Sequence, residues 1–471
     1  MSTAPPNIIL ITLDTVRAED LSIYGYDEDT CPNLSEFSNE ATLFENGFSN
    51  AIWTVPAHAS LFTGRLPSDH GCHGGDPHFE PKRETLPEIA AEKGYQTVGF
   101  SNNIWISDYF GYGEIFQELR KQWQLIHRQH DIAHLLKEQG EVDVFNLIPK
   151  LVHGNPLVDG LNALYGKFLY RRSDSGAKRT TDNILAFADD VDSPFFLFAN
   201  FMEAHAPYYE HDQTGRFLPG EVEIDPAKYT EISLRSKDYH IGELSLDTAD
   251  FEILRALYDG EIRYLDEQLG RLFDGLQRRG IFDESMIIVV GDHGENIGEN
   301  RLMAHRFDMS DTLIRVPFMI KFPPAWDTPG TFTEAVDFVY LYELLQDAIA
   351  GHQTKLLDNL DLPVVAEYVN TAYTPEARDG QWSFEGSRYD NRYRCALTKQ
   401  QKLVVDSSGA ETLYHLNDRG TFEKDGTRVD EAESLPDNLY GAVSAFEDSF
   451  KESLVIEDEE VRNHLENLGY L

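Results

Sequence analysis

Residues 7–13 form an unbroken, largely β-branched apolar run that stops at Asp14. Such a run predicts a strand buried on both faces, with a carboxylate at its carboxyl end. Two later segments repeat the form. Residues 195–198 run into Asn200, Phe201, Met202, Glu203, Ala204 and His205, and residues 286–290 run into Gly291, Asp292, His293 and Gly294. In open α/β sheets, sites assemble at the carboxyl ends of strands, so three polar clusters placed this way can meet in one crevice. Between the second and third strands, residues 251–280 carry Leu254, Leu257, Tyr258, Leu265, Leu269 and Leu272 at helical spacing. That spacing predicts an amphipathic helix covering the sheet.

Beyond Pro323 and Pro324 the pattern changes. It predicts a helix over 336–351, short strands near 362–369, 392–398 and 402–405, and an acidic tail ending in a helix. The division expected is an α/β catalytic domain over 1–360 and a smaller α+β subdomain over 361–471. Residues 114–180 mix helical pieces with Gly and Pro breaks and read as an insertion that could form a lid or substrate wall. No repeat or low-complexity tract is visible.

The chain has 471 residues, 41% hydrophobic and 12% aromatic, which suits a folded globular protein. Its formal net charge is −41, from 40 basic against 81 acidic residues. A surface so charged repels itself unless counterions screen it, which predicts a salt-rich cytoplasm in a halophilic host. A basic partner or lineage drift would be the alternatives. Nucleic-acid binding is disfavoured, because it needs clustered Lys and Arg. Cys31, Cys72 and Cys395 are three and widely spaced, so neither a disulfide framework nor a zinc cluster is indicated. Residues 1–6 lack the basic flank of a signal peptide, and 8–13 are too few to span a bilayer. The expectation is a cytoplasmic protein without a transmembrane segment, its oligomeric state open.

Asp14 alone reads as readily as a cap or turn former as a ligand. Asp292 and His293 are more telling, since adjacent strand-end carboxylate and imidazole groups, flanked by glycines, can both reach a divalent ion. The third element is the stretch from Trp53 to Arg65. Pro56 suits a first helical turn, so Thr54 would sit just before a helix N-terminus whose amides favour an alkoxide or oxyanion; its plainer reading is an N-cap.

Together these segments resemble the sulfatase family of the alkaline-phosphatase superfamily. Asn7-Ile8-Ile9-Leu10-Ile11-Thr12-Leu13-Asp14-Thr15-Val16-Arg17, Tyr24-Gly25-Tyr26 and Cys31-Pro32-Asn33 resemble the family's opening block. Thr54-x-Pro56-x-His58, followed by Leu61-Phe62-Thr63-Gly64-Arg65, resembles its nucleophile block. Glu203-x-His205-x-Pro207-Tyr208 resembles the substrate-contact block, and Gly291-Asp292-His293-Gly294-Glu295 the metal block. His305-Arg306 before Arg315-Val316-Pro317 resembles the segment reaching the leaving group, and Leu413-Tyr414-His415-Leu416-Asn417-Asp418 the C-terminal signature. The resemblance implies a large mixed, mostly parallel sheet flanked by helices, with the smaller C-terminal subdomain. It also implies that Asp14, Asp292 and His293, completed by Thr54, bind one divalent cation: Ca²⁺, Mg²⁺ or Mn²⁺, with Zn²⁺ possible. By the same resemblance Thr54, His58, His205 and His305 carry the chemistry, while Arg306, Glu203 and Arg65 contact a small anionic ester on a sugar or lipid.

Three departures shape the expected activity. Thr54 stands where the family has the Cys or Ser that becomes formylglycine, so no formylglycine can form. Thr15 replaces a common second Asp, which favours one metal ion over two. His58 replaces an Arg. A sulfated Thr would lack the formylglycine exit, whereas a phosphorylated Thr can be relieved by in-line attack of water or an alcohol. The favoured reading is therefore a hydrolase or transferase of phosphate or phosphonate esters. A true sulfuric ester hydrolase, or a catalytically silent anion-binding protein, are the alternatives.

Overall fold

The structure is a computed structural model and describes residues 5–74, 76–122, 176–191, 194–220, 225–326, 328–353, 363–369, 389, 391–415, 427–428 and 437–444. Its centre is an eight-stranded sheet. In chain order the strands are β1 (Asn7–Leu13), β2 (Thr42–Gly47), β3 (Gln96–Ser101), β4 (Glu118–Lys121), β5 (Phe195–Phe201) and β6 (Ser285–Gly291). A two-stranded hairpin follows, β7 (Asn296–Ile297) with β8 (Met303–Ala304), and then β9 (Phe318–Lys321) and β10 (Thr331–Val336) return to the sheet. The spatial order is β10-β2-β9-β6-β1-β5-β3-β4. Only β9 runs against its neighbours, so the sheet is mixed and mostly parallel, as expected.

β1 lies inside the sheet, parallel to β5 on one side and β6 on the other. All seven of its residues are buried, which is why it reads as a continuous apolar run and not an alternating one. Ile8 and Leu10 pack into one core layer, Ile9, Ile11 and Leu13 into the opposite one. The first layer is covered by α1 (Thr54–Thr63) and the second by α2 (Ala177–Asp190) and α3 (Thr248–Arg278). The long α3 is the helix predicted over 251–280; it opens with a capping box in which Asp247 accepts from the Asp250 amide. α4 (Phe338–Ile349) packs beside α1.

The segment expected to be an insertion begins later than residue 114, because β4 pairs with β3 as the sheet edge. α2 likewise belongs to the core, since Ile184 and Phe187 pack against its apolar layer. Residues 123–175 lie outside the described residues.

C-terminally, β11 (Val364–Tyr368), β12 (Tyr393–Leu397), β13 (Gln401–Asp406), β14 (Glu411–His415) and β15 (Thr427–Arg428) form a separate antiparallel sheet. Its residues Val364, Ala366 and Leu397 share a core with Phe48, Ile52 and Leu313 of the main unit. Leu439 and Val443 of α5 (Asp437–Ser444) cover its other layer. The acidic tail expected to end in a helix, and 416–418 of the C-terminal signature, lie outside the described residues. Among the described residues no helix is long and apolar enough to cross a membrane.

Candidate metal centre

The register of the sheet builds the site. Leu13 aligns with Gly291 of β6 and Phe201 of β5, so the next residues, Asp14, Asp292 and Met202, stand side by side at the strand ends. The Asp14 amide donates to the Phe201 carbonyl at 2.8 Å, continuing the ladder through that residue. Beyond it the chain turns sharply at Thr15, whose φ of 59° is unusual for a β-branched residue. The turn is held from both sides. Thr15 donates its amide to Asp292 Oδ1 at 3.2 Å, and Tyr258 of α3 donates its hydroxyl to the Thr15 carbonyl at 2.7 Å. Gly294 is required after His293, because a Cβ there would collide with the Thr312 carbonyl.

Asp14, Asp292 and His293 are fully buried, and one ligand atom from each lies within 4.8 Å of the others. His293 Nε2 stands 3.7 Å from Asp14 Oδ1 and 3.5 Å from Asp292 Oδ2. Its Nδ1 must be the protonated nitrogen, since it donates to the Gly294 carbonyl at 2.9 Å; the lone pair of Nε2 therefore faces the carboxylates. Thr54 Oγ1 is 3.4 Å from that Nε2. The expected four groups thus meet.

The donor set fits a hard divalent cation. Asp14 Oδ1 and Asp292 Oδ2 are buried carboxylate oxygens without a hydrogen-bond partner, and a third and fourth donor, an imidazole nitrogen and a hydroxyl, complete an oxygen-rich set. Burial and the neighbouring Asp14 charge push the Asp292 carboxyl well above its ordinary range, while burial and the nearby His305 hold His293 well below its own. The buried Arg17, three residues after Asp14, is committed to Asp20, Glu299 and the Glu295 carbonyl.

Thr54 is not the N-cap. Trp53 holds that position in extended conformation, and Thr54 is the first residue of α1. Its hydroxyl faces His293 and Asn103. Asn103 is the residue sequence reasoning missed: its Nδ2 donates to Asp14 Oδ2 at 2.7 Å and to Thr54 Oγ1 at 3.2 Å. It follows β3 in Ser101-Asn102-Asn103, the same arrangement of a buried strand running into polar residues that marked the other clusters. His58, one turn along α1, is fully buried; Nδ1 donates to the Thr54 carbonyl at 2.9 Å, and Nε2 accepts from Thr12 Oγ1 at 3.1 Å. Burial lowers its pKa to about 4, so it is neutral.

His293, His305 and His205 form a row, with ring centroids 4.5 Å and 5.3 Å apart. His205 is half-buried and donates Nδ1–H to the Ala206 carbonyl at 2.7 Å. Arg306, beside His305, is half-buried too. His305 sits in a segment where Asn300, Arg301, Ala304 and Phe307 all have positive φ, a concentration of backbone strain found at functional sites. Glu295, buried with His305 Nδ1 3.5 Å from its Oε1, is pushed by burial up to about 8.

Two expected substrate contacts fall elsewhere. Glu203 is fully buried and accepts the Ala177 amide at 2.6 Å, which fixes the start of α2. Arg65 is exposed just past the carboxyl end of α1; at 1.5 Å per residue the helix carries it about 16 Å from Thr54.

The sulfatase family model matches residues 6–342. An ulvan-active sulfatase of Formosa agariphila is 22% identical over 87% of this chain and 74% of its own length. A choline-sulfatase of Rhizobium meliloti is 24% identical over 90% of this chain and 85% of its own. Among solved structures, the phosphonate monoester hydrolase of Agrobacterium radiobacter superposes with a TM-score of 0.61 at 17% identity, over 87% of this chain and 89% of that one. A 2-O GAG sulfatase gives 0.61 at 12% identity, over 94% and 90%. Members of the family bind a divalent metal, and the buried Asp14, Asp292 and His293 are this chain's candidates for it. With the match running from the first strand into α4, the chain belongs to the sulfatase family, an ester hydrolase of the alkaline-phosphatase superfamily.

Proposed function

We propose that the protein is a metal-dependent hydrolase or transferase of phosphate or phosphonate esters, with Thr54 as its nucleophile. One observation carries the reading: Thr54 Oγ1 lies 3.4 Å from His293 Nε2 and accepts a hydrogen bond from Asn103 at 3.2 Å, beside the cation ligands. A cation held by Asp14, Asp292, His293 and Thr54 would lower the hydroxyl pKa and neutralise the ester's oxygens.

The chain's own groups do the rest. Asn103 donates to Thr54 Oγ and favours its alkoxide, aided by the N-terminal dipole of α1. Thr54 Oγ bonds to phosphorus as the bond to the leaving oxygen breaks, and that oxygen takes a proton from the His205 and His305 pair. The hydroxyl proton of Thr54 is returned through the same imidazoles. Water or an acceptor alcohol then attacks the phosphothreonine in line, restoring Thr54 and releasing phosphate, phosphonate or the transferred ester. His58 acts by positioning, since it grips the backbone of Thr54 and Thr12. Arg306, half-buried beside His305, would contact the substrate's anionic group. Glu203 shapes the pocket through α2.

Sulfate esters are the second substrate class, supported by the relatives named as sulfatases. The retained ligand set speaks against a silent anion-binding protein. The separate antiparallel sheet supports the division at residue 360, and the net charge of −41 supports a high-salt cytoplasm.

The test compares aryl phosphate, phosphodiester, phosphonate and sulfate esters, with wild type, Thr54→Ala and Thr54→Ser. Wild type should cleave a phosphorus ester fastest and show a mass gain on Thr54 after rapid quenching. Thr54→Ala should lose at least about 10³-fold in kcat, and Thr54→Ser should retain turnover. Full activity in Thr54→Ala would remove the nucleophile assignment, and turnover of sulfate esters alone would replace the substrate class.

A further inference from the structure

At the carboxyl end of α1, the end remote from Thr54, a cavity of about 220 Å³ is lined by Thr63, Arg65, Asp69, His70, Lys82 and Arg83. Three cations and one carboxylate face this small space. Arg65, Lys82 and Arg83 make no ion pair with any described residue, Asp69 included. With 81 acidic residues available against 40 basic ones, most cations would be expected to find a carboxylate. Here three are left facing a cavity.

The plainer explanation is that they offset the helix dipole. A helix carboxyl end carries about half a negative charge, which one cation offsets. Arg83 already does this, donating Nη1–H to the Thr63 carbonyl at 3.3 Å. Arg65 and Lys82 exceed that need. Arg83 is also held in place, its guanidinium 4.3 Å over the ring of Tyr342. Gly64 allows this packing, because with φ of 61° it turns the chain where a Cβ would meet the same ring at 2.5 Å. The buried His70 accepts the Cys72 amide on Nδ1 at 3.0 Å and directs its Nε2–H toward Ser60 Oγ at 3.1 Å. It is a neutral part of the wall.

The pocket opens to solvent, with Arg65, Asp69 and Lys82 exposed. At about 220 Å³ it is smaller than the roughly 300–1,000 Å³ of sites for drug-sized molecules, which suits a compact ligand. Arginine forks match the oxygens of a tetrahedral anion. We propose that Arg65, Lys82 and Arg83 form a binding site for a compact tetrahedral oxyanion, inorganic sulfate or phosphate, separate from the catalytic centre. This site stands whichever ester Thr54 cleaves.

Calorimetric titration of inorganic sulfate, and separately of phosphate, at fixed ionic strength tests it on wild type, Asp292→Ala and Arg65→Gln/Lys82→Gln proteins. Asp292→Ala should retain binding of at least one anion. The double variant should weaken that binding about tenfold or more, as expected for lost charge-assisted hydrogen bonds. A readout free of any variant is protection of the Lys82 amine from acylation by the same anion, followed by mass spectrometry. Unchanged isotherms in the double variant, no anion binding by Asp292→Ala, or unprotected Lys82 would each overturn the site.

Discussion

Thr54 Oγ1 lies 3.4 Å from His293 Nε2, although 239 positions separate the two residues along the chain. Neither residue's local sequence sets that distance. It arises because β6 ends beside β1 and because α1 starts over the same end of the sheet. The proposed nucleophile and a candidate cation ligand are thereby held on separate rigid elements.

Removing the cation should remove both activity and part of the stability. Dialysis against a chelator should abolish ester cleavage, and readdition of Mg²⁺, Ca²⁺ or Mn²⁺ should restore it. At a hundred times the dissociation constant the ion should stabilise the fold by about 2.7 kcal/mol. In Asp292→Ala that increment should vanish in a thermal melt, and an undiminished increment would place the ion elsewhere.

Asn103→Ala should lower kcat about 10²-fold, as expected for a lost donor to a developing alkoxide, with a smaller change in KM. Asn103 also fixes Asp14 at 2.7 Å, so metal affinity should fall as well. Steady-state kinetics at saturating metal separate the two effects. A kcat equal to wild type under those conditions would contradict the contact with Thr54.

Acid should destabilise the protein through its buried histidines. Burial lowers the His70 pKa from 6.5 to about 3. Its contribution is fully present above pH 6.5 and is lost as pH falls toward about 3, because only the unfolded chain binds the proton in that window. At pH 4.5 the loss amounts to roughly 3 kcal/mol. In urea titrations His70→Asn should lose less stability than wild type between pH 6.5 and 4.5. Parallel losses in the two proteins would mean that His70 is not held neutral.

Salt should raise the melting temperature steeply. A net charge of −41 repels itself across the surface, and the screening length shrinks from about 10 Å at 0.1 M to about 3 Å at 1 M. Calorimetry from 0.1 to 2 M KCl should show a continuous rise, and a flat profile would dissociate the charge from halophilic stability.

Much of the architecture was legible before any geometry. The predicted strand at 7–13 is β1 to the residue, and the helix predicted over 251–280 is α3, because both patterns persist over enough residues to exclude alternatives. Asn103 was not legible, since an Asn after a strand is an ordinary turn residue until its neighbours are known. Arg65 misled for the opposite reason. It lies close to Thr54 in sequence, yet a helix is a rod, and eleven positions along it separate the two side chains.

Residue pattern alone determined which segments are buried strands, which residues could ligate a cation, and that a threonine stands at position 54. Tertiary structure alone decided that Asn103 joins them, that Glu203 is committed to α2, and that Arg65 faces a different cavity. Burial is a property each residue type largely dictates for itself. Convergence depends on strand order and register, which are set by pairing between segments far apart in the chain.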